Sequence, residues 1–152
     1  MNATAPPTGD LYIVVGYDGS PPAIRALDAA IRLLYGRTGT IEVVYVAHLP
    51  AADSLSADAI GELEVDFDDI AEELRTMAAE QLRGHEDRWE FGRRSGSIAD
   101  ELMAYAMGLH EAHPDDTAVI VVGSSTQAMH RIVGSVAVTL ARRASVPVIV
   151  VP

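Results

Sequence analysis

The sequence predicts an α/β fold: a single open, five-stranded parallel sheet with helices on both faces. Two observations carry this. Short, continuous β-branched runs alternate with segments of helical periodicity, so the order reads β-α-β-α-β-α-β-α-β. The runs are apolar throughout instead of alternating, as in strands buried on both faces. A third observation sets the scale: 152 residues, 49% of them hydrophobic, suffice for one domain with a sizeable core.

Composition removes several function classes. The formal net charge is -11, which disfavours duplex nucleic acid and anionic membrane as partners. Every basic residue is arginine, so a phosphate-loop lysine, a Schiff base and a lysine general base are excluded. No cysteine is present, which excludes thiol catalysis, disulfides and cysteine metal sites. No apolar run reaches the length of a membrane helix. Met1 to Gly9 is polar, contains Pro6-Pro7 and has no apolar core, so a frayed tail is expected there rather than a secretory signal. Residues 10–152 are expected to form the domain, in the cytoplasm.

The first strand is Leu11 to Val15, followed by the turn Gly16-Tyr17-Asp18-Gly19-Ser20. Ser20 suits an N-cap and Pro21 the first helical position. Ile24, Leu27, Ile31 and Leu34 give the first helix its apolar stripe, and Gly36 and Gly39 end it. Ile41 to Ala47 is the second strand, and Ala51 to Ala59 reads as a surface loop. Ile60 to Arg83 is a long acidic helical region with Phe67, Ile70, Leu74, Met77 and Leu82 as its apolar stripe. Its carboxylates, Asp58 to Glu73, read as a solvated face, because the Asp-x-Asp-x-Asp-Gly loop of a calcium site is missing.

Trp89 to Phe91 is a short third strand, and Arg93 to Gly96 a turn. Ser97 and Asp100 are spaced as a capping box for the third helix, with Ile98, Leu102, Tyr105 and Leu109 on its buried side. His110 and His113 lie three apart near its end. A helix C-terminus favours their positive charge, and no third metal ligand accompanies them. Ala118 to Val122 is the fourth strand. A helix from about Ser135 to Arg143 follows, and Val146 to Pro152 is the last strand.

Ligands of an open α/β sheet sit beyond the carboxyl ends of the strands, where the strand order reverses. Gly16-Tyr17-Asp18, the end of the second strand near Val46, and the stretch Gly123 to Ser135 should meet there. Asp18 offers a carboxylate acceptor for ribose hydroxyls or an adenine amine; its alternative role is that of a turn residue. Gly123 and Gly134 allow close backbone approach to phosphates, and Ser135 adds a hydroxyl at a helix N-terminus. Gly123 serves equally well as a tight-turn residue.

These stretches together resemble the universal stress proteins: Ile13-Val14-Val15-Gly16-Tyr17-Asp18-Gly19-Ser20, Val121-Val122-Gly123-Ser124-Ser125, Gly134-Ser135-Val136, and the closing Val146 to Pro152. The resemblance covers nearly the whole chain. It implies an adenine nucleotide alpha hydrolase-like, Rossmann-like fold, a stress-response or signalling role, and ATP or AMP as ligand, with or without Mg2+. Members that bind ATP share the motif G-x2-G-x9-G-[ST]. Gly123 matches its first glycine and Gly134-Ser135 its last two positions; the middle glycine falls at Thr126. The step from Gly123 to Gly134 is 134 − 123 = 11 positions, two fewer than the motif has. The resemblance places Asp18 against the nucleoside, Val46 against adenine through its backbone, and Val122 and Val136 beside the phosphate and ribose contacts. Inside the shortened loop, Arg131 is either a phosphate ligand that replaces lost N–H donors or an ordinary exposed arginine. The alternative is a nucleotide-free interaction protein on the same fold.

No Gly-x-Ser-x-Gly elbow, His-Glu-x-x-His or Gly-x-x-x-x-Gly-Lys occurs, so no dedicated catalysis is expected beyond slow ATP hydrolysis. The last strand is almost wholly apolar, and an open edge of that kind invites pairing with another chain. The family resemblance agrees, and both point to a homodimer through Val148 to Val151.

Overall fold

A computed structural model describes residues 9–48, 56–124 and 135–152. Five parallel strands carry the chain: β1 (Leu11–Gly16), β2 (Gly39–Ala47), β3 (Trp89–Ser95), β4 (Thr117–Gly123) and β5 (Val148–Val151). They are joined by helices α1 (Pro21–Leu34), α2 (Ala57–Gln81), α3 (Ile98–Ala112) and α4 (Ser135–Arg143). The strand order is β3-β2-β1-β4-β5, so the order reverses between β1 and β4. Among the described residues no helix is long and apolar enough to cross a membrane.

The apolar runs divide by parity, as a pleated strand requires. Ile13, Val15, Ile41, Val43, Val119 and Val121 face α1 and α2. Val14, Val44, Val46, Ile120 and Val122 face α3 and α4. Both faces are covered, which is why these strands read as continuous hydrophobic runs.

Several elements differ from the sequence reading. Gly39 does not end α1. It opens β2 with φ +140, and a Cβ there would lie 1.9 Å from the Leu11 carbonyl oxygen. The expected loop Ala51 to Ala59 is partly helical. Ser56 caps α2 by accepting from the Ala59 N–H at 3.3 Å; residues 51–55 lie outside the described residues.

The buried residues of α2 are Ala71, Leu74 and Ala78, with Phe67 partly buried beside them and Leu82 buried just beyond the helix. Ile70 and Met77, expected inside, are 40% and 42% exposed. Small alanines let the helix lie close to its neighbours, and the larger side chains move to its flank. Among the described residues the acidic face has one basic partner from outside the helix: Arg93 on β3 pairs with Asp68.

β3 runs on through Arg93, Arg94 and Ser95, which the sequence suggested were a turn. β2 continues to Ala47 and supplies ladder partners as far as Ala47–Ser95, and an edge strand tolerates charged residues. Ser97 does precede α3, but its side chain makes no capping hydrogen bond. Asp100 reaches Arg143 of α4 instead, at 3.1 Å. On α3, Ala99, Leu102 and Ala106 are the buried residues, with Tyr105 and Leu109 half-buried beside them and Ile98 left at the surface.

Candidate functional site

The reversal of strand order leaves a cleft of about 230 Å3 at the carboxyl end of the sheet, between β1 and β4. Gly16, Asp18, Val46, Val122, Gly123, Ser135 and Val136 all line it. Thr126, Arg131 and Gly134 lie outside the described residues. The sequence reading placed Tyr17 among the residues at the first strand end but gave it no role, and it missed Tyr45, as well as Ile98 and Leu102 from α3. A signal for the tyrosines existed: Tyr17 follows the end of the first apolar run and Tyr45 lies two residues before the end of the second, the region at which α/β ligands bind.

Each lining residue has a local reason for its position. The β1–β2 ladder ends at Gly16–Val44, where the Tyr17 N–H donates to the Val44 carbonyl at 2.9 Å. In a parallel ladder the N–H and C=O of one residue point to the same side, and this repeats every second residue. Val46 therefore turns its N–H and C=O the same way as Val44, but past the end of β1. Backbone polar groups without a ladder partner at a strand end are available to a ligand.

Gly16 is packed, not open. A Cβ there would meet Leu102 Cδ1 at 3.0 Å and Val122 Cγ1 at 3.3 Å. Gly123 also meets a packing need. Its Cα presses on the start of α1, and a Cβ would fall 2.2 Å from the Pro22 carbonyl oxygen.

Asp18 is exposed and holds its own turn: the Ser20 N–H donates to Asp18 Oδ1 at 3.0 Å. The turn-residue role is thus realised. The second carboxylate oxygen leaves room for the acceptor role as well, since a carboxylate offers about four lone-pair sites. α2 holds this turn from behind. Gly19, at φ +74, packs so closely on Leu74 that a Cβ would sit 2.7 Å from Leu74 Cδ2. Gln81 Nε2 fastens α2 to α1 by donating to the Ile24 carbonyl at 2.7 Å and to Asp28 Oδ1 at 2.9 Å.

Burial raises the Tyr17 hydroxyl above its ordinary value, and Asp18 adds to the effect. Tyr45 is raised chiefly by burial too, against the pull of Arg93. Both therefore stay neutral at physiological pH and can donate or accept a hydrogen bond. The histidine pair at the end of α3 is remote from the cleft chemistry. His113 stacks on Tyr12 with ring centroids 4.9 Å apart and has Nδ1 3.7 Å from Asp116. Among the described residues no three His, Asp or Glu side chains converge as metal ligands.

Residues 12–152 match a family model described as the universal stress protein family. No curated protein matches the chain by sequence. Among solved structures the chain is similar to the universal stress protein UspA from Lactobacillus plantarum, with a TM-score of 0.74 and 19% identity over 95% of this chain and 99% of that one. It is similar to a universal stress protein in complex with cAMP, with a TM-score of 0.63 and 24% identity over 93% of this chain and 97% of that one. It is also similar to the universal stress protein from Archaeoglobus fulgidus in complex with dAMP, with a TM-score of 0.57 and 21% identity over 96% of this chain and 99% of that one. At these identities the structural likeness speaks for the fold.

Proposed function

Because the chain belongs to the universal stress protein family, we propose that it is an adenine-nucleotide-binding stress-response or signalling module of the cytoplasm. One observation carries the reading: the cleft at the β1–β4 reversal gathers Gly16, Asp18, Val46, Val122, Gly123, Ser135 and Val136 from four separate elements and their turns. Adenine would lie against the free backbone edge of Val46, ribose against Asp18, and phosphate at the start of α4. The nucleotides bound by the relatives named above, cAMP and dAMP, are of the same chemical class. Mg2+, if it accompanies ATP, would be carried by the phosphates, with Asp18 the one carboxylate among the described cleft residues.

Calorimetric titration of the purified chain with AMP, and with ATP plus Mg2+, tests this. Saturable heat is expected with at least one of them, and Asp18→Ala should weaken it by about tenfold, the loss of one hydrogen bond to a charged group. No heat and no thermal shift at millimolar nucleotide would leave the second reading, a nucleotide-free interaction protein on the same fold. What favours that reading is the engagement of Asp18 Oδ1 within its own turn, together with the shortened loop.

Either reading includes a homodimer through Val148 to Val151. Among the described residues β5 is an edge strand paired only with β4, and Val150 stands 39% exposed on it. Sedimentation at micromolar concentration should give a dimer, and Val150→Lys should shift it toward monomer. A wild-type monomer would refute the interface.

A further inference from the structure

Gly19 stands between Asp18, which lines the cleft, and Ser20, which caps α1, and it holds φ +74. Having no side chain, it leaves its open face to α2. Leu74 and Met77, three positions apart on one face of that helix, fill it. A Cβ built on Gly19 would stand 2.7 Å from Leu74 Cδ2, 3.4 Å from Met77 Cε and 3.5 Å from Met77 Sδ. The Met77 thioether is thus part of the apolar pad behind the Asp18 turn.

A second, independent observation concerns access. With no cysteine in the chain, methionine is its only sulfur. Of the three methionines among the described residues, Met103 and Met107 are partly buried on α3, whereas Met77 is 42% exposed. One side chain therefore meets both the solvent and the turn. Oxidation of a methionine converts a flexible apolar side chain into a polar one, and the change is reversible by sulfoxide reductases.

We propose that Met77 is an oxidation site through which a peroxide acts on the Asp18 turn. The sulfur lone pair attacks one peroxide oxygen, the S–O bond forms and the O–O bond breaks. The proton on the transferred oxygen passes to the leaving hydroxide, which departs as water; sulfur is oxidised and the peroxide reduced. The new dipole arises in a contact whose other members, Leu74 and the Gly19 Cα, offer it no hydrogen bond. The nearby Ser20 N–H is already held by Asp18 Oδ1 at 3.0 Å. A polar group buried without a partner is costly, so the sulfoxide turns out to water. α2 then loses one of these two contacts on Gly19, and the turn loosens. Resting on the nucleotide reading above, the displaced Asp18 also weakens nucleotide binding.

Hydrogen peroxide treatment of the full chain tests this, with peptide mass spectrometry to place the added oxygen. Met77 should oxidise before Met103 and Met107. The melting temperature of the oxidised chain should fall by roughly 2–4 °C without any ligand present. Amide exchange should become several-fold faster across residues 17–24, and a methionine sulfoxide reductase should restore both readings. Met77→Leu keeps the apolar volume and removes the sulfur, so the same treatment should leave its turn unchanged. Oxidation of Met103 or Met107 ahead of Met77 would overturn the proposal. So would a Met77 sulfoxide with unaltered melting and exchange, or an equal loss in Met77→Leu. Titration with AMP before and after treatment separates the two readings: no heat in either state, with the turn still loosened, would overturn the nucleotide reading and uphold the oxidation site.

Discussion

Gly123→Ala should lower the melting temperature by roughly 5–10 °C and abolish any nucleotide binding. The new methyl group would be placed 2.2 Å from the Pro22 carbonyl oxygen, 2.4 Å from its carbon and 2.6 Å from Pro22 Cβ. Two of those atoms are backbone and the third belongs to a rigid ring, so none can rotate away. Either the start of α1 or the end of β4 must move, and overpacking of this kind costs about 1–3 kcal/mol. The Asp18 turn leads directly into α1, so it moves with that helix, and the cleft loses its geometry along with its stability. Gly61→Ala is the control. It lies within α2 and a Cβ there would meet nothing within 4 Å, so alanine should be neutral or slightly stabilising. Equal melting temperatures for Gly123→Ala and wild type would mean that β4 and α1 are not in register as described.

Tyr105→Phe should destabilise the protein by about 1–3 kcal/mol at pH 8 and by less at pH 5. Glu42, 4% exposed in the middle of β2, accepts a hydrogen bond from the Tyr105 hydroxyl at 2.7 Å. Its nearest strand neighbour on the β3 side is another carboxylate, Glu90. Tyr12 of β1 also lies within reach of its charge, and Arg94 stacks on the Tyr105 ring at 4.7 Å. Burial pushes the Glu42 carboxyl above 4.5, the Tyr105 hydrogen bond pulls it back, and Glu90 pushes it further.

The folded chain therefore holds this proton more tightly than the unfolded chain. Stability is highest below pH 4.5 as far as this group is concerned, and falls as pH rises through the raised value. Removing the Tyr105 hydroxyl removes the one influence that favours the charged form, so the fall should steepen. Glu42→Gln should flatten it. Urea denaturation at pH 5 and pH 8 on the three proteins measures both effects. Carboxylates that do not interact with Glu42 contribute equally to all three and cancel in the differences. Identical pH dependence in wild type and Tyr105→Phe would show that Glu42 is not ionised in the folded protein over this range.

How much of this was legible in the sequence depends on the range of the interaction. Ser20 as a cap and Pro21 at the first helical position are local facts, and both are found in place. The parity of Ile13, Val14 and Val15 is a property of any pleated strand, although which face each residue took depended on the helices above it. Ile70 and Met77 were misplaced because an apolar stripe can be drawn through several neighbouring positions. The stripe actually buried passes through Ala71 and Ala78, residues too small to announce themselves as core. Arg93 and Arg94 looked like a turn because their partners on β2 lie about 50 positions earlier in the chain.

The sequence by itself determined the alternation of strand and helix, the burial of both sheet faces, the family, and the residue types available at the strand ends. The family follows from the motifs at the strand ends; the rest follows from short-range periodicity and from the glycine and proline that punctuate it. Only the tertiary structure decided which of those residues meet in the cleft, and that Gly123 is small because Pro22 lies against it. It also decided that a glutamate in an apolar strand run finds its partner in Tyr105, 63 positions away. Such contacts join segments whose separation along the chain carries no periodic signal, and their energy arises only when packing excludes water from between them.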